Sequence, residues 1–379
     1  MTKTHGLSFQ TRIILYSYLT PIFYYFCGYN YNTMNKIKTG IASYGLSGKA
    51  FHAPFIATIE AFELSVICER SKNEARKTYR NVKIVRSFDE LLTDASLELI
   101  IVNTPDVTHF DYCRAALEAG KHVIVEKPFA FTVAEGEALI KLAAEKGLVL
   151  TVFQNRRWDG DFLTIRKILN ENQLGRIVEY RAAFQRFRPQ IADTWKERND
   201  RFVGIVYNLG PHLVDQALCL FGKPTGVFAQ IRKQRTNSQI DDFCHIILIY
   251  HGLQVTLTAG MMMKEPIASY VVHGSNGSFV KQGIDPQEDQ LRAGMLPTEQ
   301  GYGLDVPENF GTLVYEQNGE TTRETIETLQ GNYQYYFEAV AESIRNQSSP
   351  PVSPTENLLV IRILEAAYQS NEENRVISL

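Results

Sequence analysis

The sequence predicts an α/β protein: a doubly wound parallel half followed by an α+β half built on a large, mostly antiparallel open sheet. Two observations carry this. From Ile37 to about Phe153, short β-rich runs alternate with helical runs, the pattern of right-handed βαβ units. Beyond Arg156 the order changes to a helix, a strand, a second helix and then consecutive strands joined by turn-rich segments, which favours antiparallel pairing.

Residues 38–43 read as the first strand and 64–68 as the second, and 84–85, 99–102, 122–125 and 148–153 continue the series. Between them, 109–119 is helical with Phe110, Cys113 and Leu117 on one face, and 133–146 with Ala138, Leu139, Leu142 and Ala143 on one face. Gly120 and Gly147 stand where C-terminal caps belong. In the second half, helices are expected over 162–171 and 212–221, the latter opening at Pro211. Strands are expected over 177–186, 226–232, 243–250, 254–259 and 270–273, and helices over 333–345 and 357–369 close the chain. Met261, Met262 and Met263 read as packing residues. One face of the large sheet is left for a second subunit, so a homodimer or homotetramer through that sheet is expected.

The chain has 379 residues, 44% of them apolar and 21% charged, which excludes a disordered, collagenous or multi-span membrane protein. A net charge of -3 gives no argument for nucleic acid or an anionic membrane, so a small neutral or acidic metabolite is the expected partner. The cysteines (Cys27, Cys68, Cys113, Cys219, Cys244) are odd in number and form no C-x-x-C pair, which argues against a disulfide framework and a zinc site and for a reducing cytoplasm. No metal is expected. The apolar run 13–29 is broken by Pro21, and Met34 precedes what reads as an ordinary first strand. Residues 1–33 therefore read as an upstream extension, with an export or anchoring segment as the alternative; 34–155 and 156–379 are the two domains, the last helix packing back on the first.

Ser43-Tyr44-Gly45-Leu46-Ser47-Gly48 lies between the first strand and its helix, and Glu69 ends the second strand. In a G-x-G-x-x-G turn the glycines permit a tight bend and close approach of backbone to pyrophosphate, and the helix N-terminus supplies N–H donors. These residues and Glu69 mark residues 34–155 as a Rossmann dinucleotide-binding domain. Ser43 stands where the first glycine belongs, a replacement expected to adjust the turn or lower affinity. The cofactor, NAD or NADP, stays open: Glu69 would bond the ribose hydroxyls of NAD, whereas Arg70, Ser71 and Lys72 would hold a 2′-phosphate. Glu126-Lys127-Pro128 follows the strand over 122–125, at the carboxyl end where open α/β sheets bind ligands, so Lys127 points into the crevice with an environment able to tune it for proton transfer. Asn103, Thr104, Pro105 and His109 end another strand and would flank the nicotinamide ribose. In the second domain Asn208 precedes His212 by four positions, a spacing that lets them meet on one helical turn.

Together, Gly45-x-x-Gly48-Lys-x-Phe-His-Ala-Pro54, Thr104-Pro105, Glu126-Lys-Pro128, Gln154-Asn-Arg-Arg-Trp-Asp159, Leu209-Gly-x-His212-x-x-Asp215-Gln and Gly283-Ile-Asp-Pro-Gln-Glu-Asp289 resemble the Gfo/Idh/MocA family of NAD(P)-dependent sugar and polyol dehydrogenases, from Ile37 to the C-terminus. The last segments are similar to its inositol dehydrogenase branch. The resemblance implies that Lys127 orients and polarises the substrate oxygen while His212 accepts the hydroxyl proton as hydride leaves for nicotinamide C4. Where the family has aspartate this chain has Asn208, whose amide cannot stabilise imidazolium by charge, so a lower His212 pKa is expected. Asn155 and Arg156 would lie near the nicotinamide. Arg157, Trp158, Asp159 and Arg188 would line the substrate crevice, since a polyhydroxylated ring needs several donors and acceptors. Two other activities stay open: a nicotinamide-dependent glycosidase, and a dinucleotide sensor that has lost catalysis, suggested by Ser43 and Asn208.

Overall fold

The structure, a computed structural model, describes residues 35–193, 197 and 204–379. The extension expected over 1–33, with Cys27, and Met34 lie outside the described residues. The strands β1 (Ile37–Ile41), β2 (Phe62–Cys68), β3 (Lys83–Val85), β4 (Leu99–Val102), β5 (His122–Val125) and β6 (Leu150–Val152) form a six-stranded parallel sheet in the order β3-β2-β1-β4-β5-β6. The order reverses between β1 and β4, which opens the crevice of a Rossmann fold at that point. β4, Leu-Ile-Ile-Val, is buried at every position because crossover helices cover both faces of such a sheet. Among those helices, α4 (His109–Glu118) and α5 (Val133–Lys146) follow the sequence reading; α5 opens on a Thr132–Glu135 capping box and closes on Gly147 at φ 64.

The helix after β1 carries an irregularity that the site uses. Gly48–His52 is a π turn, closed by the Ala53 N–H bonding back to the Gly48 carbonyl, and α1 (Ala53–Thr58) continues from it. Pro54 has no N–H to give to an α-helical ladder and its ring would crowd the carbonyl four residues back, so the wider turn relieves both. His52, at the end of the π turn, is fully buried.

The second sheet contains β7 (Ile177–Gln185), β8 (Gly226–Arg232), β9 (Phe243–Tyr250), β10 (Leu253–Gly260), β11 (Tyr270–Gly274), β12 (Gly277–Lys281), β13 (Gly311–Gln317), β14 (Glu320–Ile326) and β15 (Ile377–Ser378). It is nine-stranded, in the order β14-β13-β12-β11-β7-β10-β9-β8-β15, antiparallel throughout except between β7 and β10. β9 alternates buried and half-buried residues, as a strand with one covered face does. The strands β12 to β15 were not anticipated. β14 is Glu-Thr-Thr-Arg-Glu-Thr-Ile, an edge strand with no apolar alternation to read.

The helix expected at 212–221 is corrected: α7 runs Ile205–Phe221 and contains Pro211. Its start is fixed from outside its own sequence. The amides of Ile205 and Val206 donate to the backbone carbonyl (2.9 Å) and carboxylate (2.9 Å) of Asp241, and Gly204, at φ 123, leaves room for that carboxylate, which an added Cβ would approach to 2.4 Å. With α6 (Gly160–Asn170) and α10 (Pro354–Glu373), α7 packs on the sheet's buried face. The preceding helix, α9 (Gln334–Asn346), and Tyr333 before it, send Tyr333, Tyr336, Phe337 and Val340 into the first core, while α10 gives Ile361 to the first core and Val360, Ile363 and Leu364 to the second. No helix among the described residues is long and apolar enough to cross a membrane.

Candidate active site

The turn after β1 is built for close approach. An added Cβ on Gly48 would lie 2.1 Å from the Ser43 carbonyl, so the turn admits only glycine there. Asn103 Nδ2, at the end of β4, donates to the same carbonyl at 2.8 Å and leaves its buried Oδ1 without a partner among the described residues. Ser43, where the first glycine was expected, does not have positive φ, so the turn accommodates its side chain, and its hydroxyl accepts from the Gly45 N–H at 3.3 Å. Tyr44 and Leu46 flank this cradle, and Lys49 lies 5.5 Å over the Tyr44 ring. The glycine cradle and the helix that opens behind it fit the pyrophosphate of a dinucleotide.

At the end of β2 the expected role of Glu69 is corrected. Its carboxylate accepts from the amides of Glu74 (2.9 Å) and Ala75 (2.7 Å), closing the loop before the single-turn helix α2 (Ala75–Thr78) rather than standing open to a ribose. Arg86 holds the same loop through the carbonyls of Glu69 and Lys72 and the Asn73 amide oxygen. Arg70, Ser71 and Lys72 are left exposed on it.

Glu126 follows β5 directly. Its Oε1 accepts from Ser47 Oγ at 2.5 Å and lies 3.0 Å from His52 Nε2. Burial raises its pKa, but the bonds from His52 and Ser47 and the charge of Lys127 outweigh it and bring the carboxyl down to about 2. His109, expected at the cofactor, is corrected: it is fully buried, its ring between the carbonyls of Pro128 (2.8 Å) and Thr104 (3.0 Å), so it braces the Lys127 turn against the Thr104-Pro105 turn. Thr104 Oγ1 also meets Thr108 Oγ1 at 2.6 Å, and Pro105 precedes a short 3-10 turn, Asp106–Thr108.

Lys127 reaches across to the second domain, where its Nζ donates to the Asn208 carbonyl at 2.8 Å. His212, one turn along α7, is buried and its Nδ1 has no partner among the described residues. Burial, then Lys127, Arg156 and Arg186, hold its pKa well below the ordinary imidazole value, so the ring is neutral near pH 7. A neutral imidazole beside a lysine ammonium can accept one proton while the ammonium polarises an oxygen.

The short 3-10 turn Asn155–Trp158 follows β6 and carries Arg156 and Arg157. Arg157 is corrected from substrate ligand to brace: it clasps Asp215 with two bonds (2.7 and 2.8 Å) and Glu356 at 3.0 Å. Asp159 is also corrected; fully buried, it accepts from Arg156 Nη1 at 3.0 Å and from Tyr333 Oη at 2.7 Å. Trp158 is buried edge-on to Tyr336 at 5.5 Å. Arg156 spans Asp159 and Glu288 (2.6 Å) and lies over the Phe184 ring, and Asn155 is buried beside it in the turn. Arg188 is exposed just past β7, its amide bonded to the Met261 carbonyl. His52 is visible in the Gly45 to Pro54 motif but is given no role there, and Asp241 is missed because it has no local signal.

A family profile described as the oxidoreductase family, NAD-binding Rossmann fold, matches residues 37–154, and the C-terminal alpha/beta domain of the same family matches 166–379. The chain is 40% identical to scyllo-inositol 2-dehydrogenase (NADP(+)) IolW of Bacillus subtilis, over 91% of this chain and 97% of that protein. Among solved structures, an oxidoreductase from Bacteroides fragilis is 44% identical with a TM-score of 0.84, covering 91% of this chain and 100% of that one. The yvaA oxidoreductase of Bacillus subtilis is 40% identical with a TM-score of 0.89, covering 91% and 99%.

Proposed function

The chain belongs to the Gfo/Idh/MocA oxidoreductase family, and on that premise we propose that it interconverts a secondary alcohol of a cyclic polyol or sugar, inositol first among them, with the ketone, preferring NADP to NAD. The meeting of Lys127 with α7 carries this reading, because it brings an ammonium to the turn before a neutral His212 whose Nδ1 has no partner among the described residues. A bound nicotinamide supplies the hydride acceptor at C4. Lys127 orients and polarises the reacting oxygen, His212 takes the hydroxyl proton, and Asn208 offers its amide to a neighbouring hydroxyl. Asn155 and Arg188 are the remaining polar side chains assigned to the crevice.

The cofactor preference rests on the end of β2. With Glu69 tied to two amides, the exposed Arg70, Ser71 and Lys72 are left to read a 2′-phosphate. The relative IolW carries NADP(+) in its name. A second copy of the chain is assigned to the half-covered sheet face whose row Phe228, Ile247, Thr256, Arg181, Val271 and Val280 crosses six strands, and the free cysteines Cys68, Cys113, Cys219 and Cys244 support a reducing cytoplasm. Absorbance at the nicotinamide band, with NAD and NADP against inositols and sugars, tests the proposal. Turnover should fall by a factor of ~10²–10⁴ in Lys127→Ala, and Arg70→Ala should lower kcat/KM with NADP while sparing NAD. Release of aglycone without net reduction of cofactor would instead identify a glycosidase.

A further inference from the structure

We propose that His52 is a positioning residue for this reaction: through the Glu126 carboxylate it fixes both the dinucleotide turn at Ser47 and the electrostatic surroundings of Lys127. The inference rests on the dehydrogenase reading above, and its geometry stands on two elements that meet only here. The π turn brings His52 inward, and β5 ends so that Glu126 lies against it, with Nε2 and Oε1 3.0 Å apart. The same oxygen receives the Ser47 hydroxyl at 2.5 Å, so one carboxylate atom is shared between the turn that cradles pyrophosphate and the interior histidine.

Glu126 has two neighbours with opposite needs. Ser47 belongs to a turn that must hold a phosphate anion, and Lys127, the next residue, must hold a proton beside the substrate oxygen. A carboxylate free to swing would turn toward the phosphates, repelling them, and would leave the lysine ammonium less stabilised. His52 prevents both by holding Oε1 from the protein side, donating from Nε2. Its ring is itself held, 4.6 Å from Phe153 and 6.0 Å from Phe337, and its Nδ1 has no partner, so the bond to Glu126 is the ring's one polar contact among the described residues. A histidine wanted only for packing at this place would be replaced at no polar cost by phenylalanine.

Two substitutions in the full-length protein separate the roles. His52→Phe keeps the ring packing and removes the donor; His52→Gln removes the ring and keeps an N–H of similar reach. Binding of NADPH, read from its fluorescence, should weaken about ten-fold in His52→Phe and by no more than about two-fold in His52→Gln. The pH limb of kcat/KM that Lys127 sets should move to lower pH in His52→Phe only, because a carboxylate that drifts away stabilises the ammonium less. Should His52→Phe fail to fold, Ser47→Ala removes the other bond to the same oxygen from a half-buried position and should move the Lys127 limb in the same direction. The reverse order, with Gln worse than Phe, or two equal variants, would overturn the proposal and leave a packing residue. Wild-type protein that binds NADPH but turns over no polyol would refute the dehydrogenase reading, and the binding comparison would still decide the part played by His52.

Discussion

Arg157 and Asp159 sit at the same bend after β6, yet they lead into opposite electrostatic surroundings. Arg157 meets Asp215 and Glu356 in a matched clasp that joins the bend to α7 and α10. Asp159 leads instead into a crowd of carboxylates with Asp161 and Asp285, where the nearby cations are already shared: Arg156 with Glu288, and Lys281 with Asp305 at 2.7 Å. Burial and then the neighbouring carboxylates push Asp159 well above the usual carboxylate range, and burial with Asp161 raises Asp285 to about 7. Matched charge fastens the two domains, and crowded charge makes the floor of the second domain respond to pH.

If that contrast is right, the largest effect comes from breaking the matched side. Asp215→Ala leaves Arg157 buried with only a part-exposed Glu356, and should lower unfolding free energy by ~3–5 kcal/mol in a urea titration. On the crowded side, the folded pKa of Asp285 lies above its unfolded value near 3.9, so the native state holds the extra proton. The stability this gives is present at low pH and is lost as pH rises toward about 7. The slope should be at most ~1.4 kcal/mol per pH unit, and Asp285→Asn should flatten the fall of Tm between about pH 4 and about pH 7. The smallest expected effect sharpens the comparison at the site itself: Asn208→Asp places a carboxylate near His212 and should move the acid limb of kcat/KM upward by about one pH unit. An unmoved profile would mean that position 208 does not sense the ring.

What could be read in the sequence follows the same division between local and distant causes. β4 and β5 are continuous apolar runs and α5 carries its own capping box and terminal glycine, so the first domain announces itself strand by strand. Lys127 and His212 are visible because each lies in a short motif. The start of α7 is not visible, since Asp241 supplies the cap from the loop before β9. Nor are the duties of Arg157 and Asp159, whose partners Glu356 and Tyr333 lie 199 and 174 residues away. A side chain's residue type shows what it can bond; only the fold shows what has already taken those bonds. Glu69 is the plainest case, an acid at the ribose position whose oxygens are used by its own loop.

The return of α9 to the first core has a consequence for synthesis. Phe55 stacks on Phe337 at 4.9 Å and Phe153 packs against Tyr336 and Phe337, so the cofactor domain lacks a wall until its last helices exist. A nascent chain leaves the ribosome N-terminus first, and this one must carry a half-closed parallel sheet through the translation of the whole second domain. The aromatic face that α9 covers therefore stays open until residues 334–346 have been made.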